Sequence, residues 1–460
     1  MMFPATLFAG QRYAVVGLGR NGLPAARALR AMGADVVAWD DRADARAAAS
    51  AEGISVFDPD MCGLTALVLS PGIPHSLPKP HPMAARAIAA RVPIVSDAEL
   101  LYRAVRAAGS RARFAGITGT NGKSTTTALL AHILEVAGRP VAAGGNLGTA
   151  ALALPLLPDD GVYVLEMSSY MLERIATLRF DAAAMLNLSA DHIDRHGDMA
   201  GYAAAKRVIF ERQTEHDLAV IGTDDAPSRE MAAWLHTQPA PVVEISEHQR
   251  VAGIDRACAL PGAHNAQNAA AAAAMAVALG VSREHIVAGI VSYPGLPHRQ
   301  ERVVEIDGVI FVNDSKATNA DSAARALGCY DRLIWIAGGL AKEGGITPLV
   351  DYFPRIALAL LIGRDAAVLA ETLARHGVPH RIVGTLELAV RHAWDEARAG
   401  TAKVVLLSPA CASWDQFTGF DQRGDRFRAL AQNLAQGRPA CGTPAMQGSA
   451  SGTLAMRGSA

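Results

Sequence analysis

The chain has 460 residues, which is enough for about three domains of ~150 residues each. Its 43 Lys and Arg residues nearly balance its 44 Asp and Glu residues, which excludes a polybasic protein that binds nucleic acid by neutralising phosphates. Half of the residues are hydrophobic, but no apolar run reaches the ~18 residues of a membrane span, so we expect a folded protein that does not insert into a membrane. Five widely spaced cysteines without a CxxC pair indicate reduced thiols, and the N-terminus shows no secretory signal; both features predict a cytoplasmic protein.

Short apolar runs alternate with alanine-rich helical stretches along most of the chain, a pattern typical of βαβ units and mostly parallel sheets. The runs that predict buried strands are Tyr13–Val16, Asp35–Trp39, Leu67–Leu69, Arg113–Ile117, Val162–Leu165, Ala182–Leu188, Ala219–Ile221, Val309–Val312, Arg332–Ala337, Ile356–Leu361 and Lys403–Leu407. Breaks at 108–111 and at the Pro/Gly-rich segment 292–298 predict three domains, 1–111, 112–297 and 298–437. Residues 438–460 are rich in Gly, Ser, Ala and Thr and are predicted to form a disordered tail.

A glycine-rich loop, Gly17-Leu-Gly-Arg-Asn-Gly22, follows the first predicted strand and precedes a helix. In this arrangement the glycines let backbone amides approach a diphosphate at a helix N-terminus. The second strand ends at Asp40-Asp41-Arg42, where an acid could bind a ribose hydroxyl, so this region alone suggests NAD; a packing turn without a ligand is the alternative. A further turn, Ser70-Pro71-Gly72, ends the third strand at the sheet edge where ligands bind. We predict a diphosphate ligand here and leave its identity open at this point.

A second loop, Gly119-Thr-Asn-Gly-Lys-Ser-Thr125, also follows a predicted strand and opens a helix. Lys123 can reach β- and γ-phosphates, and the Ser124 hydroxyl can ligate Mg²⁺. The common eight-residue P-loop would have glycine at position 117, which is Ile117 here. This is therefore a variant phosphate-binding loop.

Three residues downstream are candidates for the same site. Glu166 ends a predicted strand and offers the carboxylate oxygens that magnesium prefers. His192 follows the next strand, where it could either act at the site or be a hydrogen-bonded structural residue. Lys206 lies on a predicted helix and, by composition alone, would be an ordinary surface lysine.

Together these motifs resemble the Mur ligase family, whose order they follow over roughly residues 10–437. The segments that carry the resemblance are Thr118–Thr125, Gly145-Asn146, Glu166, Asp191-His192, Pro261–Asn268, His298-Arg299, Asn313–Asn319 and Leu407–Gly424. The last segment is similar to members that add D-glutamate. The resemblance implies an α/β fold of three domains: an N-terminal Rossmann-like domain, a central P-loop mononucleotide-binding ATPase domain and a C-terminal Rossmann-like domain.

The resemblance also implies a cytoplasmic, ADP-forming ligase of peptidoglycan precursor synthesis, expected to be a monomer. It would join D-glutamate to UDP-N-acetylmuramoyl-L-alanine (UDP-MurNAc-L-Ala) through an acyl phosphate. The first loop would then bind UDP instead of NAD. Other Mur or folylpolyglutamate-type ligases, an NAD-dependent dehydrogenase and a non-catalytic nucleotide switch are the alternatives.

The resemblance assigns the site residues as follows. The UDP-sugar site comprises Gly17, Leu18, Gly19, Arg20, Asn21, Asp41, Arg42, Ser70, Pro71, Gly72 and Asn146. The ATP site comprises Gly119, Thr120, Asn121, Gly122, Lys123, Ser124, Thr125, Asn268, Arg299 and Asp314. The D-glutamate site comprises Lys316, Thr318, Lys342, Ser413 and Phe420. Lys123, Glu166, His192 and Lys206 would be catalytic, and two Mg²⁺ ions would be held by Ser124, Glu166, His192 and a carbamylated Lys206.

Overall fold

Three β-sheets with helices packed against them organise the described part of the chain. The computed structural model describes residues 1–342 and 344–437. The chain divides into two units, Met1–Leu296 and a second unit that begins at Pro297. The first unit contains two of the sheets and the second unit contains the third.

The first sheet has five parallel strands in the order β3-β2-β1-β4-β5. Its strands are β1 (Arg12–Val16), β2 (Asp35–Trp39), β3 (Ser55–Val56), β4 (Ala66–Leu69) and β5 (Ile94–Val95), and its helices are α1 (Gly22–Ala31), α2 (Ala43–Ala51), α3 (Pro82–Ala89) and α4 (Asp97–Ala107). Successive β1 side chains enter two different apolar clusters, because side chains alternate between the faces of a strand: Tyr13 and Val15 enter one, and Ala14 and Val16 the other. Both faces of the sheet are therefore covered.

The second sheet has six parallel strands in the order β11-β10-β9-β6-β8-β7. Its strands are β6 (Arg113–Thr118), β7 (Val141–Gly145), β8 (Val162–Glu166), β9 (Ala182–Met185), β10 (Leu218–Gly222) and β11 (Val242–Ile245). Its helices are α5 (Lys123–Val136), α6 (Ser169–Leu172), α7 (Ile193–His196), α8 (Met199–Arg207), α9 (Ala226–Leu235), α10 (Ala263–Ala278) and α11 (Arg283–Ser292), with 3-10 turns at Ala151–Ala153 and Ile254–Arg256. In α10 a run of alanines lets the helix pack closely against α5, which carries the phosphate-binding loop at its start.

The third sheet has six strands in the order β12-β13-β17-β14-β15-β16, all parallel except β12. Its strands are β12 (Glu301–Ile306), β13 (Val309–Asn313), β14 (Leu333–Gly338), β15 (Ile356–Ile362), β16 (His380–Gly384) and β17 (Val404–Leu407). Its helices are α12 (Ala320–Leu327), α13 (Ala366–Arg375), α14 (Leu386–Arg398) and α15 (Phe420–Ala435), with a 3-10 segment at Thr347–Arg355. Strands β12 and β13 form a hairpin whose two turn residues, Asp307 and Gly308, both have positive φ, as a type I′ turn requires.

The predicted α/β class with parallel sheets is confirmed, and each of the predicted runs overlaps a strand, although Ala182–Leu188 extends three residues beyond the end of β9. The six strands that the apolar runs did not predict are β3, β5, β7, β11, β12 and β16, which are the two edge strands of every sheet. An edge strand is paired on one side only, and these six strands are less buried than the central ones, so they lack a continuous apolar run.

The predicted breaks between domains fall between regular elements of the structure. Helix α4 ends at Ala107 and β6 begins at Arg113, so the break predicted at 108–111 falls in a connection, as does the division after Leu296; the three-domain boundaries themselves stay predictions.

The predicted tail, 438–460, lies outside the described residues. Within the described residues, no helix is both long and apolar enough to cross a bilayer. Cys62, Cys258, Cys329 and Cys411 are free thiols, and Cys441 lies outside the described residues.

Two buried carboxylates at the start of α4 connect the first sheet to loops of the second. Asp97 Oδ2 accepts hydrogen bonds from the Ala151 amide (2.8 Å) and from Asn21 Nδ2 (3.4 Å). Glu99 is completely buried and accepts hydrogen bonds from the backbone amides of residues 176–178. Burial alone would raise the pKa of Glu99, but its bonds to Thr177 and to these amides hold the pKa below its usual value. The glycine loop of the first sheet is thereby held beside the second sheet.

Candidate active site

The phosphate-binding loop connects β6 to α5. Gly119 and Gly122 have positive φ, and a Cβ at Gly122 would lie 2.3 Å from Asn268 Oδ1, so glycine is required there by both conformation and space. Asn187 fixes the loop, because its Oδ1 accepts from the Asn121 amide at 2.8 Å and its Nδ2 donates to the Asn121 carbonyl at 3.2 Å. The loop amides and the start of α5 form a helix N-terminus suited to phosphate.

Two lysines donate to the same loop carbonyl. Lys123 Nζ donates to the carbonyls of Gly119 (2.8 Å) and Thr120 (2.7 Å), and Lys206 Nζ donates to the Gly119 carbonyl at 2.9 Å and to Thr118 Oγ1 at 3.3 Å. Lys206 is 2% exposed, so the surface lysine suggested by composition is wrong. Burial lowers the pKa of Lys206 well below its usual value, and the positive charge of Lys123 lowers this pKa further. Burial and the neighbouring cation therefore both favour the neutral amine form of Lys206 over the ammonium form.

Glu166 ends β8 and is 2% exposed. Its Oε1 accepts a hydrogen bond from Asn146 Nδ2 at 2.6 Å, whereas its Oε2 is buried and has no hydrogen-bond partner among the described residues. A buried carboxylate oxygen without a donor is costly unless it binds a cation. The side chain therefore fits the predicted role of metal ligand.

His192 immediately precedes α7 and has a positive φ of 54°. Its side chain is about half exposed (48%) and lies 3.5 Å from Asp191 Oδ2. Partial burial lowers the pKa of His192, while Asp191 acts in the opposite direction. Among the described residues His192 makes no hydrogen bond or ion pair with Glu166, so the structure does not bring these two predicted ligands into contact.

The remaining predicted ATP residues of the first unit surround this loop. Ser124 is buried in the first turn of α5, which also contains Thr125. Asn268 Oδ1 accepts from Thr126 Oγ1 at 3.2 Å, which places the α10 residue against α5. Thr120 Oγ1 lies 3.3 Å from the Tyr202 hydroxyl, so the loop also contacts the helix that carries Lys206.

A cavity of about 490 Å³ opens beside the first glycine loop. Its lining includes these predicted UDP-sugar residues: Gly17, Gly19, Arg20, Asn21, Asp41, Arg42, Ser70, Pro71, Gly72 and Asn146. Leu18 does not line the cavity, because its side chain is buried and its amide donates to Asp40 Oδ2 at 2.7 Å. The volume is within the range of ~300–1,000 Å³ that is typical of small-molecule sites.

The three glycines of the first loop have different roles. A Cβ at Gly17 would lie 2.6 Å from Ile73 Cδ1, and one at Gly22 would lie 1.8 Å from the Gly17 carbonyl oxygen, so close packing requires both glycines. A Cβ at Gly19 would meet nothing within 4 Å. Position 19 therefore opens into the cavity, as expected of a glycine that a ligand approaches.

The sequence prediction missed two polar residues of this cavity. Asp40 orients the loop through the Leu18 amide and also accepts from the Arg42 amide at 2.9 Å. His81 lines the cavity, and its Nε2 lies 3.1 Å from Asp41 Oδ2. The strand-end acids were a signal for Asp40, whereas no local pattern marks His81.

The second unit contains the other predicted residues. Asp314 directly follows β13 and is buried; it accepts from Ser408 Oγ at 2.7 Å and from the Gln300 amide at 3.2 Å. Lys316 Nζ lies 3.9 Å from the centre of the Phe420 ring. Ser413 is buried in the loop after β17, Thr318 and Arg299 are half-buried, and Lys342 is exposed after β14. The structure thus brings Lys316 and Phe420 together and places Ser413 and Lys342 on neighbouring loops.

Similarity to known proteins agrees with this site. Residues 117–257 match the Mur ligase middle domain, and residues 298–411 match the Mur ligase glutamate ligase domain, together more than half of the chain. A UDP-N-acetylmuramoylalanine–D-glutamate ligase from Paramagnetospirillum magneticum is 49% identical over 95% of this chain and 99% of its own. The chain belongs to the Mur ligase family. The enzyme of the same name from Caulobacter vibrioides is 47% identical over 95% of this chain and 98% of its own.

Solved Mur ligase structures share the fold at low sequence identity. The UDP-N-acetylmuramate–alanine ligase of Thermotoga maritima aligns with a TM-score of 0.56 at 18% identity, covering 92% of this chain and 99% of its own. MurF from Acinetobacter baumannii aligns with a TM-score of 0.54 at 16% identity, covering 88% of each chain. Membership of the Mur ligase family contradicts the NAD-dependent dehydrogenase considered from the first loop alone.

We expect Asp314→Asn to remove a pH dependence from the stability of this Mur ligase. Burial raises the pKa of Asp314 to about 7, whereas an unfolded Asp titrates near ~4. Between these pH values the folded chain holds a proton that the unfolded chain has released, so wild-type stability falls as pH rises. The Asn variant can accept from the Gln300 amide through Oδ1 and donate to the Ser408 hydroxyl through Nδ2, and it does not titrate. Its stability relative to wild type should therefore increase by about 2 kcal/mol between about pH 5 and about pH 8, measured by urea denaturation.

The matched control for this measurement is Asp351→Asn, at an exposed position. Its stability difference from wild type should be the same at both pH values. An equally constant difference for Asp314→Asn would contradict the assignment of a buried carboxyl that titrates near neutrality.

Proposed function

We propose that this chain is an ATP-dependent ligase that joins the amine of D-glutamate to the alanyl carboxylate of UDP-MurNAc-L-Ala, releasing ADP and phosphate. The observation that carries the proposal is the similarity to D-glutamate ligases over nearly the whole chain. The phosphate-binding loop, the two lysines at its Gly119 carbonyl and the cavity of about 490 Å³ support the same chemistry. The reaction is a step of peptidoglycan precursor synthesis, for which we propose a cytoplasmic location.

The donor set of the central site fits magnesium. Glu166 contributes a buried carboxylate oxygen that no protein group satisfies among the described residues, and Ser124 contributes a hydroxyl at the start of α5. Oxygen ligands of this kind suit Mg²⁺. Two Mg²⁺ ions, held by Ser124, Glu166, His192 and a carbamylated Lys206, would supply positive charge where the substrate carboxylate meets the γ-phosphate.

The lowered pKa of Lys206 supports carbamylation. A neutral amine can add to CO₂: its lone pair forms the N–C bond, a C=O electron pair moves onto oxygen, and the amine loses a proton. The product is a negatively charged oxygen ligand in place of a cation. A charged ammonium could not react in this way, so the burial that lowers the Lys206 pKa favours the modification.

The reaction then proceeds in two steps. The alanyl carboxylate attacks the γ-phosphorus, the bond to ADP breaks, and an acyl phosphate forms. The D-glutamate amine next attacks the acyl carbon, and phosphate leaves from the tetrahedral intermediate as the amine loses its proton. Lys123, at the phosphate-binding loop, offsets charge as two negative groups approach. Positioning of the two substrates supplies much of the remaining rate enhancement.

The sugar nucleotide and D-glutamate would bind at two separate sets of residues. The cavity beside Gly19 would hold the UDP moiety, with its diphosphate at the N-terminus of α1. Asn146 lines this cavity and also donates to Glu166, so one residue connects the sugar-nucleotide site with the metal site. In the second unit, Lys316 and Lys342 supply positive charge and Thr318 and Ser413 supply hydroxyls for the two carboxylates of glutamate.

The proposed activity is tested by phosphate release from ATP with UDP-MurNAc-L-Ala and each amino acid in turn. We expect release with D-glutamate and little with L-glutamate, L-lysine or meso-diaminopimelate. Preference for another amino acid would indicate a different ligase of the family. Release without any amino acid or sugar nucleotide would instead support a nucleotide switch.

We expect Lys206→Ala to be nearly inactive and short carboxylic acids to restore part of its activity. The variant leaves a space beside the phosphate-binding loop, and a small carboxylate can supply the missing oxygen ligand there. The measurement is turnover of the variant with increasing formate or acetate. Arg207→Ala, on the half-buried next position of α8, is the matched control and should keep its activity without added acid. Full activity of Lys206→Ala would contradict the carbamate.

We expect Gly19→Leu to weaken binding of UDP-MurNAc-L-Ala by at least about tenfold, because the new side chain enters the cavity without a clash in the protein. Gly19→Ala should have a smaller effect in the same direction. ATP affinity should change little, since its loop begins a hundred residues later at Gly119. Calorimetric titration without ATP measures the first affinity, and NAD should not compete. Loss of ATP binding instead would contradict the assignment.

A further inference from the structure

The turn that follows β4, residues 70–73, is held by two arginines of the second sheet. Arg174 is 3% exposed, and its Nη1 donates to the carbonyls of Leu69 (2.8 Å) and Ser70 (3.0 Å). Its Nη2 donates to the Ile73 carbonyl. Arg195 Nη1 donates to the Gly72 carbonyl at 3.0 Å. Three of the four carbonyls of residues 70–73, those of Ser70, Gly72 and Ile73, thus accept from these two guanidinium groups.

Each arginine lies on a segment that carries a proposed metal ligand. Arg174 follows α6, which comes directly after Glu166, and Arg195 lies in α7, which follows His192. The Arg174 carbonyl also accepts from the Ser96 amide at 3.0 Å, so the residue is anchored to the start of α4 by its backbone. The position of the turn is consequently tied to the catalytic segments.

The backbone amide of Gly72 is the donor of the turn that remains available to a ligand. Proline at position 71 has no N–H, and the Ile73 amide donates to the Ser70 carbonyl at 3.0 Å. The Gly72 amide makes no hydrogen bond with the described residues, and Gly72 lines the 490 Å³ cavity. Because guanidinium groups bind the carbonyls of Ser70, Gly72 and Ile73, this amide is held in place for a phosphate or hydroxyl oxygen.

We propose that Arg174 is a positioning residue for the sugar nucleotide: it holds the turn at residues 70–73 so that the Gly72 amide contacts the ligand and the ligand is aligned with the γ-phosphate site. This inference rests on the proposed function. Only arginine suits this position, since a planar guanidinium donates to three carbonyls at once and a lysine amine cannot match that fork. Arg174 itself does not touch the reacting atoms.

The chain offers a matched control for Arg174→Lys. Arg212 is half-buried and also binds backbone carbonyls, donating from Nε to Leu178 at 3.0 Å and from Nη2 to Ile175 at 3.3 Å. It makes no contact with the turn. Arg212→Lys therefore reports the cost of losing a carbonyl-binding guanidinium in this part of the fold without disturbing the cavity.

The experiment compares Arg174→Lys, Arg212→Lys and wild type by calorimetric titration with UDP-MurNAc-L-Ala, by steady-state kinetics and by thermal unfolding. For Arg174→Lys we expect the Kd and KM of the sugar nucleotide to rise about tenfold, with the KM of ATP changed less than about twofold. At saturating sugar nucleotide, kcat should recover to within about threefold of wild type. For Arg212→Lys we expect a lower Tm and an unchanged Kd.

The outcomes separate this inference from the proposed function. If wild type neither binds nor turns over UDP-MurNAc-L-Ala, the proposed function is wrong. If wild type does both and Arg174→Lys binds it equally well, or binds it as Arg212→Lys does, the positioning role is wrong. Should Arg174→Lys fail to fold, Arg195→Lys removes the exposed bond to Gly72 and should raise the same Kd about threefold; an unchanged Kd there would also overturn the inference.

Discussion

Two lysine amines that share one backbone carbonyl determine the chemistry of the central site. Lys123 and Lys206 both donate to the Gly119 carbonyl, at 2.8 and 2.9 Å. Two ammonium groups this close would repel each other, so burial and this repulsion both lower the pKa of the more buried amine, Lys206. The loop thus holds both amines at one carbonyl, and Glu166 has a buried oxygen without a donor among the described residues.

The rest of the first unit connects the cavity beside Gly19 with this site. Parallel strands end at one edge of a sheet, which puts the phosphate-binding loop and Glu166 close together after β6 and β8. The cavity belongs to a different sheet, and buried ionic groups connect the two. Asp97 holds Asn21 and the Ala151 amide, Glu99 holds the loop at 176–178, and Arg174 holds the turn after β4. Each of these buried side chains bonds to backbone amides or carbonyls of the other segment. A solvent-exposed ion pair would hold the two segments together less firmly.

Much of the fold and part of the candidate site were predictable from the sequence. Central strands such as β1, β8 and β15 are buried on both faces, so their apolar runs stand out. Edge strands such as β12 and β16 consist of half-buried and exposed residues, so they lack such an apolar run. Loops with a chemical signature, such as residues 119–125, were placed correctly after their strand. His81 and Arg174 were missed, because the residues around them contain no pattern that distinguishes them from surface positions.

The sequence by itself determined the α/β class, the glycine loops and the family resemblance, since each depends on residues that are neighbours in the chain. Only the tertiary structure decided which polar groups are buried from solvent. Lys206 is buried against a loop almost ninety residues away, and Arg174 reaches carbonyls about a hundred residues away. Charge state and hydrogen-bond partners depend on such long-range burial, because desolvation and proximity set a pKa and local sequence sets neither. The lowered pKa of Lys206 and the arginine-held turn are therefore properties of the folded chain.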